Sequence, residues 1–118
     1  MTEDAAFISR EFIFEELRFV GDFWNLIIVH QLRGGPRRFS EIEREVDGLN
    51  AVTLTNRLRL LIEEGMVERL KEPGKKAVAY TLTAKGRDLL PILNELWKFG
   101  QKHFDAKAWS LRQQPTSI

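Results

Sequence analysis

The 118-residue chain has no cysteine, two histidines and no long apolar run, and each shortage excludes a class of function. Without cysteine there is no disulfide, no thiolate metal site and no thiol nucleophile, and a reducing compartment suits the chain. The longest apolar stretch, Phe23 to Leu32, is interrupted by Asn25 and His30. It is about half of the ~20 residues that a membrane span needs, so no membrane partner is expected. The opening Met1-Thr2-Glu3-Asp4 is acidic, unlike a signal or transit peptide, and a cytoplasmic protein is expected. There is no glycine-rich phosphate loop and no nucleophile motif. His30 falls inside the apolar helix and reads as a core or interface residue; His103 falls near the end of the last helix. Asp22 and Asp88 read as a helix cap and a surface residue. No enzyme, metal site or cofactor is expected.

A strong charge of one sign is also missing. The net charge is +1, whereas a nucleic-acid binder is expected to be basic. Position matters more than the sum. The first twenty residues carry two basic side chains against five acidic ones, while Arg33, Arg37 and Arg38 cluster without an acid among them. From residue 50 to 80 six basic residues stand against four acidic ones.

What is present is mostly helical periodicity. Residues 5 to 20 space Ile13, Leu17 and Val20 as one helix face, with Phe12 and Phe19 seven apart. Asp22 can cap a second helix from Phe23 to Leu32, apolar on most sides and therefore central to the core; Gly34-Gly35-Pro36 ends it. Ser40-Glu41-Ile42-Glu43 reads as a capping box, in which the Ser40 hydroxyl accepts from the Glu43 N–H, opening a short helix to Val46. Asp47-Gly48-Leu49 is a tight turn. Asn50 caps a helix to Glu64, with Leu54, Leu58 and Leu61 inward and Gly65 as its stop. Two strands follow, Met66 to Glu72 and Ala77 to Leu82, joined by Pro73-Gly74 as a type II turn. Thr83 then caps one long helix to Phe104. Residues 1–109 thus read as one domain, and 110–118 as a flexible polar tail.

A short capped helix, a three-residue turn and a second amphipathic helix (residues 40–64), followed by a basic-tipped hairpin (residues 66–82), is the order of a winged helix-turn-helix. The fold class expected is α+β, mostly α, with additional N- and C-terminal helices suited to dimerisation. A helix fits the DNA major groove, where each base pair has its own edge pattern. With the leucines inward, the far side of the second helix presents Val52, Thr53, Asn56 and Arg59, flanked by Thr55 and Arg57. Asn56 can read adenine and Arg59 guanine or a phosphate. Arg37, Arg38, Ser40, Lys75 and Lys76 fall where phosphates lie, with Lys71 nearby. Each has a plainer reading: Arg57 and Arg59 can pair with carboxylates, Lys75-Lys76 is a common solvated turn, and Thr53 and Thr55 can be simple surface residues.

The text GDFWNLIIVHQLRGGPRRFSEIEREVDGLNAVTLTNRLRLLIEEGMVERL, then AVAYTLTAKGRDLLPILNELWKFG, resembles the HxlR-type winged helix-turn-helix transcriptional regulators of bacteria and archaea. The resemblance spans residues 11 to 100. It rests on the order and spacing of Pro36-Arg37-Arg38-Phe39-Ser40-Glu41, Leu54-Thr55-Asn56-Arg57-Leu58, Gly65-Met66-Val67 and Tyr80-Thr81-Leu82-Thr83-Ala84-Lys85-Gly86. It implies a homodimer that binds near-palindromic double-stranded DNA and regulates nearby genes, with repression by promoter occlusion the simplest outcome. Relatives commonly carry a cysteine where Glu11 stands, a sensing thiol in some, and a lysine where Val52 stands; this chain departs at both, and its wing is shorter than in many. For the dimer interface the expected residues are Phe12 and Phe19 of the first helix and Leu89, Leu93, Leu96, Trp97 and Phe99 of the last. A small-molecule effector pocket between the dimer helices, lined by Phe19, Trp24, Trp97 and Phe99, is a further reading. The alternative function, from another class, is a winged-helix protein-interaction module without specific DNA binding.

Overall fold

The computed structural model describes residues 10–71, 73–74 and 77–104; for residues 10–13 it describes the backbone alone. The elements are α1 (Arg10–Val20), α2 (Phe23–Gln31), β1 (Arg37–Arg38), α3 (Phe39–Glu45), α4 (Ala51–Glu63), β2 (Val67–Lys71), β3 (Val78–Leu82), α5 (Ala84–Arg87) and α6 (Leu90–His103). The strands form one antiparallel sheet in the order β1-β3-β2. The architecture is a mostly helical α+β winged helix-turn-helix, in which α3 and α4 are the helix-turn-helix and β2-β3 the wing.

The core gathers around α2. Its Ile28, Val29 and Leu32 are fully buried against Ile42 and Leu49 of the helix-turn-helix, Leu54, Leu58 and Leu61 of α4, and Val67 and Leu82 of the wing. The leucine stripe of α4 faces inward as its periodicity requires. Asp22 caps α2, its Oδ1 accepting from the Asn25 N–H at 3.0 Å, and Asn50 caps α4, accepting from the Thr53 N–H at 2.8 Å.

Two boundaries differ from the sequence reading. The first is β1. Arg37 and Arg38 pair with Tyr80 and Ala79, which holds the backbone extended through Arg38, so α3 begins at Phe39. The Glu41 carboxylate accepts from the Arg38 N–H at 2.9 Å, and Ser40 lies inside the first turn instead of capping it. The second is the last helix, which is broken into α5 and α6 around Asp88-Leu89. Pro91, in the first turn of α6, has no N–H to donate back to α5 and fits only where a helix starts. His30, read as a core or interface residue, is exposed in the single chain and so is not part of its core.

Candidate nucleic-acid interface

A helix that presents side chains to a groove must itself be held, and α4 is held at both ends. At its C-terminus Gly65 adopts φ 75°, allowing a Schellman ending in which the Met66 N–H donates to the Leu61 carbonyl and the Gly65 N–H to the Ile62 carbonyl, both at 2.9 Å. The next carbonyls are taken by the segment after the wing. The Thr83 hydroxyl donates to the Gly65 carbonyl at 2.5 Å, and the Thr83 N–H to the Met66 carbonyl at 3.0 Å. The Lys85 ammonium donates to the Glu64 carbonyl at 2.7 Å, placing a cation at the negative end of the helix dipole. The Thr83 oxygen also accepts from the Gly86 N–H and so caps α5. Gly86 is buried so closely against the strand that a Cβ there would land on the Met66 carbonyl. The Thr83-Ala84-Lys85-Gly86 motif is therefore the clamp on the base of α4.

On the outward side of α4, Val52, Thr55, Asn56 and Arg59 are exposed, Val52 by 70%. Asn56 and Arg59 border a shallow groove of about 520 Å³ with Thr53, Arg57, Leu60 and Glu63. Thr53 is half-buried at the edge of this ridge. Arg57 lines the edge of this groove, but its guanidinium is held 3.0 Å from the Asp22 carboxylate, and both side chains are largely covered. Arg57 therefore ties α4 to the start of α2, because its position faces the α1–α2 junction and the carboxylate that caps α2 lies there. Asn25, 2% exposed, completes that junction by donating from Nδ2 to the Phe19 carbonyl at 3.1 Å; its Oδ1 is buried without a partner among the described residues.

The sheet sets Arg37 and Lys71, both expected near phosphates, in line with Arg69, which pattern reading did not find. The register sets Arg37, Tyr80 and Arg69 side by side across β1, β3 and β2, with Lys71 two residues beyond Arg69 on the same face of β2. Arg69 is exposed, whereas Arg37 is half-buried. Nothing in an isolated VERLK strand signals that its arginine will stand in line with a residue more than thirty positions earlier. Arg38 and Ser40 are exposed beside the start of α3. Lys75 and Lys76 lie outside the described residues.

The expected dimer residues divide. Leu89 is 5% exposed and belongs to this chain's own core, because the α5–α6 break turns it inward beneath the wing. Phe19 and Leu93 are half-buried against the same core. Trp97 borders a cleft between α6 and α2. Leu96, Phe99 and Trp97 are more than half exposed, and Phe104 is about half exposed. The side chain of Phe12 lies outside the described residues.

The comparisons with known proteins agree with this geometry. Residues 19–108 match the model of the HxlR-like helix-turn-helix family. The chain belongs to that family. It is similar to YvaP, an uncharacterised HTH-type transcriptional regulator of Bacillus subtilis strain 168, with 41% identity over 83 residues, covering 70% of this chain and 77% of YvaP. It is also similar to the B. subtilis regulator YodB, whose reduced form superposes with a TM-score of 0.70 at 30% identity, over 80% of this chain and 93% of that one. A quinone-bound form of YodB superposes with a TM-score of 0.67 at 31% identity, over 76% and 96% of the two chains. The HxlR-like chain is thus an HTH-type transcriptional regulator that binds DNA, and not an enzyme. No helix among its described residues is long and apolar enough to cross a membrane.

Proposed function

We propose that the protein acts as a cytoplasmic homodimer on a near-palindromic operator, most simply as a repressor that occludes a promoter. The observation that carries this reading is the outward ridge of α4. Asn56 and Arg59 are exposed on a helix clamped at both ends, which is what bidentate contacts to base edges require. Arg37, Arg38, Ser40, Arg69 and the wing residues Lys71, Lys75 and Lys76 supply the phosphate contacts, while Thr53, Thr55 and Val52 line the groove wall, Val52 against a thymine methyl. Arg57 supports the ridge from behind through Asp22. The dimer forms through the outer face of α6 together with α1. A small-molecule effector acts on this dimer, as the quinone-bound state of YodB suggests by analogy. With no cysteine in the chain, that effector is not held through a thiol.

The test is a mobility-shift assay on DNA upstream of the protein's own and neighbouring genes, run as a salt series. A specific complex is expected whose affinity falls steeply with salt. Lys75→Ala is expected to weaken all DNA to the same degree and to lower the salt slope by about one. Equal affinity for every sequence, or no complex at all, would favour the protein-interaction alternative.

A further inference from the structure

Helix α6 carries two apolar stripes. Ile92, Leu96 and Phe99 form the outer one, whereas Leu90, Leu93 and Trp97 line the side toward α2, where Trp97 stays 61% exposed at the rim. The second stripe does not close onto its neighbour. Between it and Leu26 and Ile27 of α2 lies an open cleft of about 480 Å³, within the size range of small-molecule sites. The walls are mostly hydrocarbon and indole, with the Asn94 amide on the α6 side, and the end toward the C-terminus of α2 is polar, formed by His30 and Arg33.

That polar end contains donors of a defined kind. The Arg33 guanidinium donates to the His30 carbonyl at 2.8 Å and lies 3.3 Å from His30 Nδ1. A guanidinium cannot accept, so Nδ1 is the acceptor and the imidazole proton sits on Nε2. The guanidinium keeps further N–H groups unused, and no carboxylate lies within ion-pair distance of it among the described residues. An apolar trough that ends in a cation and an imidazole N–H is complementary to a molecule with an apolar body and one anionic head.

We propose that the α2–α6 cleft binds a small aromatic or alicyclic monocarboxylate, with its ring between Ile27, Leu93 and Trp97 and its carboxylate on Arg33. The inference names the class of effector left open above, and it rests on that reading only for the consequence for DNA; binding itself is independent of it. A second copy of the chain is a less suitable occupant, because α6 offers a dimer partner its outer stripe of Ile92, Leu96 and Phe99. The cleft also leaves Arg33 to be neutralised by a single anionic group.

Calorimetry on the full chain without DNA tests it, with 2-naphthoate and the uncharged 2-naphthamide as probes. The wild type is expected to bind the acid at least about tenfold more tightly than the amide, one factor of ten being ~1.4 kcal/mol. Arg33→Gln should erase that difference while leaving amide binding intact, and Arg33→Lys should restore part of it. Circular dichroism melts of both variants confirm that they are folded. Equal binding of acid and amide by the wild type, or acid binding unchanged in Arg33→Gln, overturns the proposal. So does a wild-type dimer that dissociates on Trp97→Ala, since a second copy would then fill the cleft. Because no DNA is present, a protein that fails the operator assay can still pass this one, and the two failures are distinguishable.

Discussion

Arg57 and Arg59 stand two positions apart on α4, about 200° around the helix, and that angle separates their work. Arg59 projects into solvent beside Asn56, so Arg59→Ala and Asn56→Ala are each expected to weaken specific operator binding by ~1–3 kcal/mol with little effect on stability. Fluorescence anisotropy on operator and scrambled DNA separates the specific loss from a uniform one. Arg57 instead faces the Asp22 carboxylate. A double-mutant cycle on Arg57→Ala and Asp22→Ala should give a coupling of about 0.5–1 kcal/mol in urea unfolding, the range of a partly exposed pair. The cycle is needed because Asp22→Ala also removes the α2 cap. His30 is the titrating residue to follow. Burial and then the Arg33 charge lower its pKa from 6.5. As pH falls below 6.5, the unfolded chain takes up the proton before the folded one does. Stability therefore declines through that window until the folded imidazole protonates too. Urea midpoints measured between about pH 5 and 8 should show this decline in the wild type and a flatter profile in His30→Gln.

At the scale of elements, the segment from Thr83 to Gly86 determines how firmly α4 is held. Thr83→Val removes both the α5 cap and the bond to the Gly65 carbonyl, and is expected to cost about 1–2 kcal/mol. Gly86→Ala forces a methyl onto the Met66 carbonyl and is expected to cost about 1–3 kcal/mol. Gly34→Ala, where a Cβ meets nothing within 4 Å, is the neutral control. Thermal unfolding of the three variants checks the order. Much of this architecture was legible beforehand. The leucine spacing of α4, the caps at Asp22, Asn50 and Thr83, and the glycine stop at Gly65 are local signals, each carried by residues within one or two turns. What escaped was non-local. A two-residue strand has no periodicity, so β1 exists only through its pairing with Tyr80 and Ala79. The Arg57–Asp22 pair spans thirty-five positions, and only the packing of α4 against the α1–α2 junction brings it together. The break before α6 did have a local sign in Pro91, which was outweighed by the continuous apolar pattern from Leu89 to Phe99. That pattern also drew Leu89 into the expected interface, because periodicity shows that a helix has apolar sides and not what each side meets.

For the whole molecule, those two sides set the problem of assembly. The inner stripe of α6 packs against the core through Leu90 and Leu93, while on the outer stripe Ile92, Leu96 and Phe99 are 48%, 53% and 56% exposed, with the Phe99 ring against His103 and Phe104 at the end of the helix. On α1, Leu17 is 61% exposed as well. Large apolar residues that recur along one face of a helix are a cost in water unless a partner covers them. A two-fold related copy covers the same face of both chains at once. Such a dimer would present two α4 ridges to successive major-groove segments, about 34 Å apart. It would also leave the basic row of Arg37, Arg69 and Lys71 for the DNA, with the acidic first helix at the subunit side. Leu96→Glu tests this geometry without disturbing the core, since Leu96 is 53% exposed and lies outside the buried cluster of the described residues. Sedimentation should move from a dimer to a monomer mass, with an unchanged circular dichroism spectrum. Operator affinity should fall by about 10² or more, because the second half-site contact becomes intermolecular. Binding to an isolated half-site should remain that of the wild-type monomer unit. A dimer mass retained by Leu96→Glu would place the subunit interface elsewhere and separate the outer stripe of α6 from the reading of two half-sites.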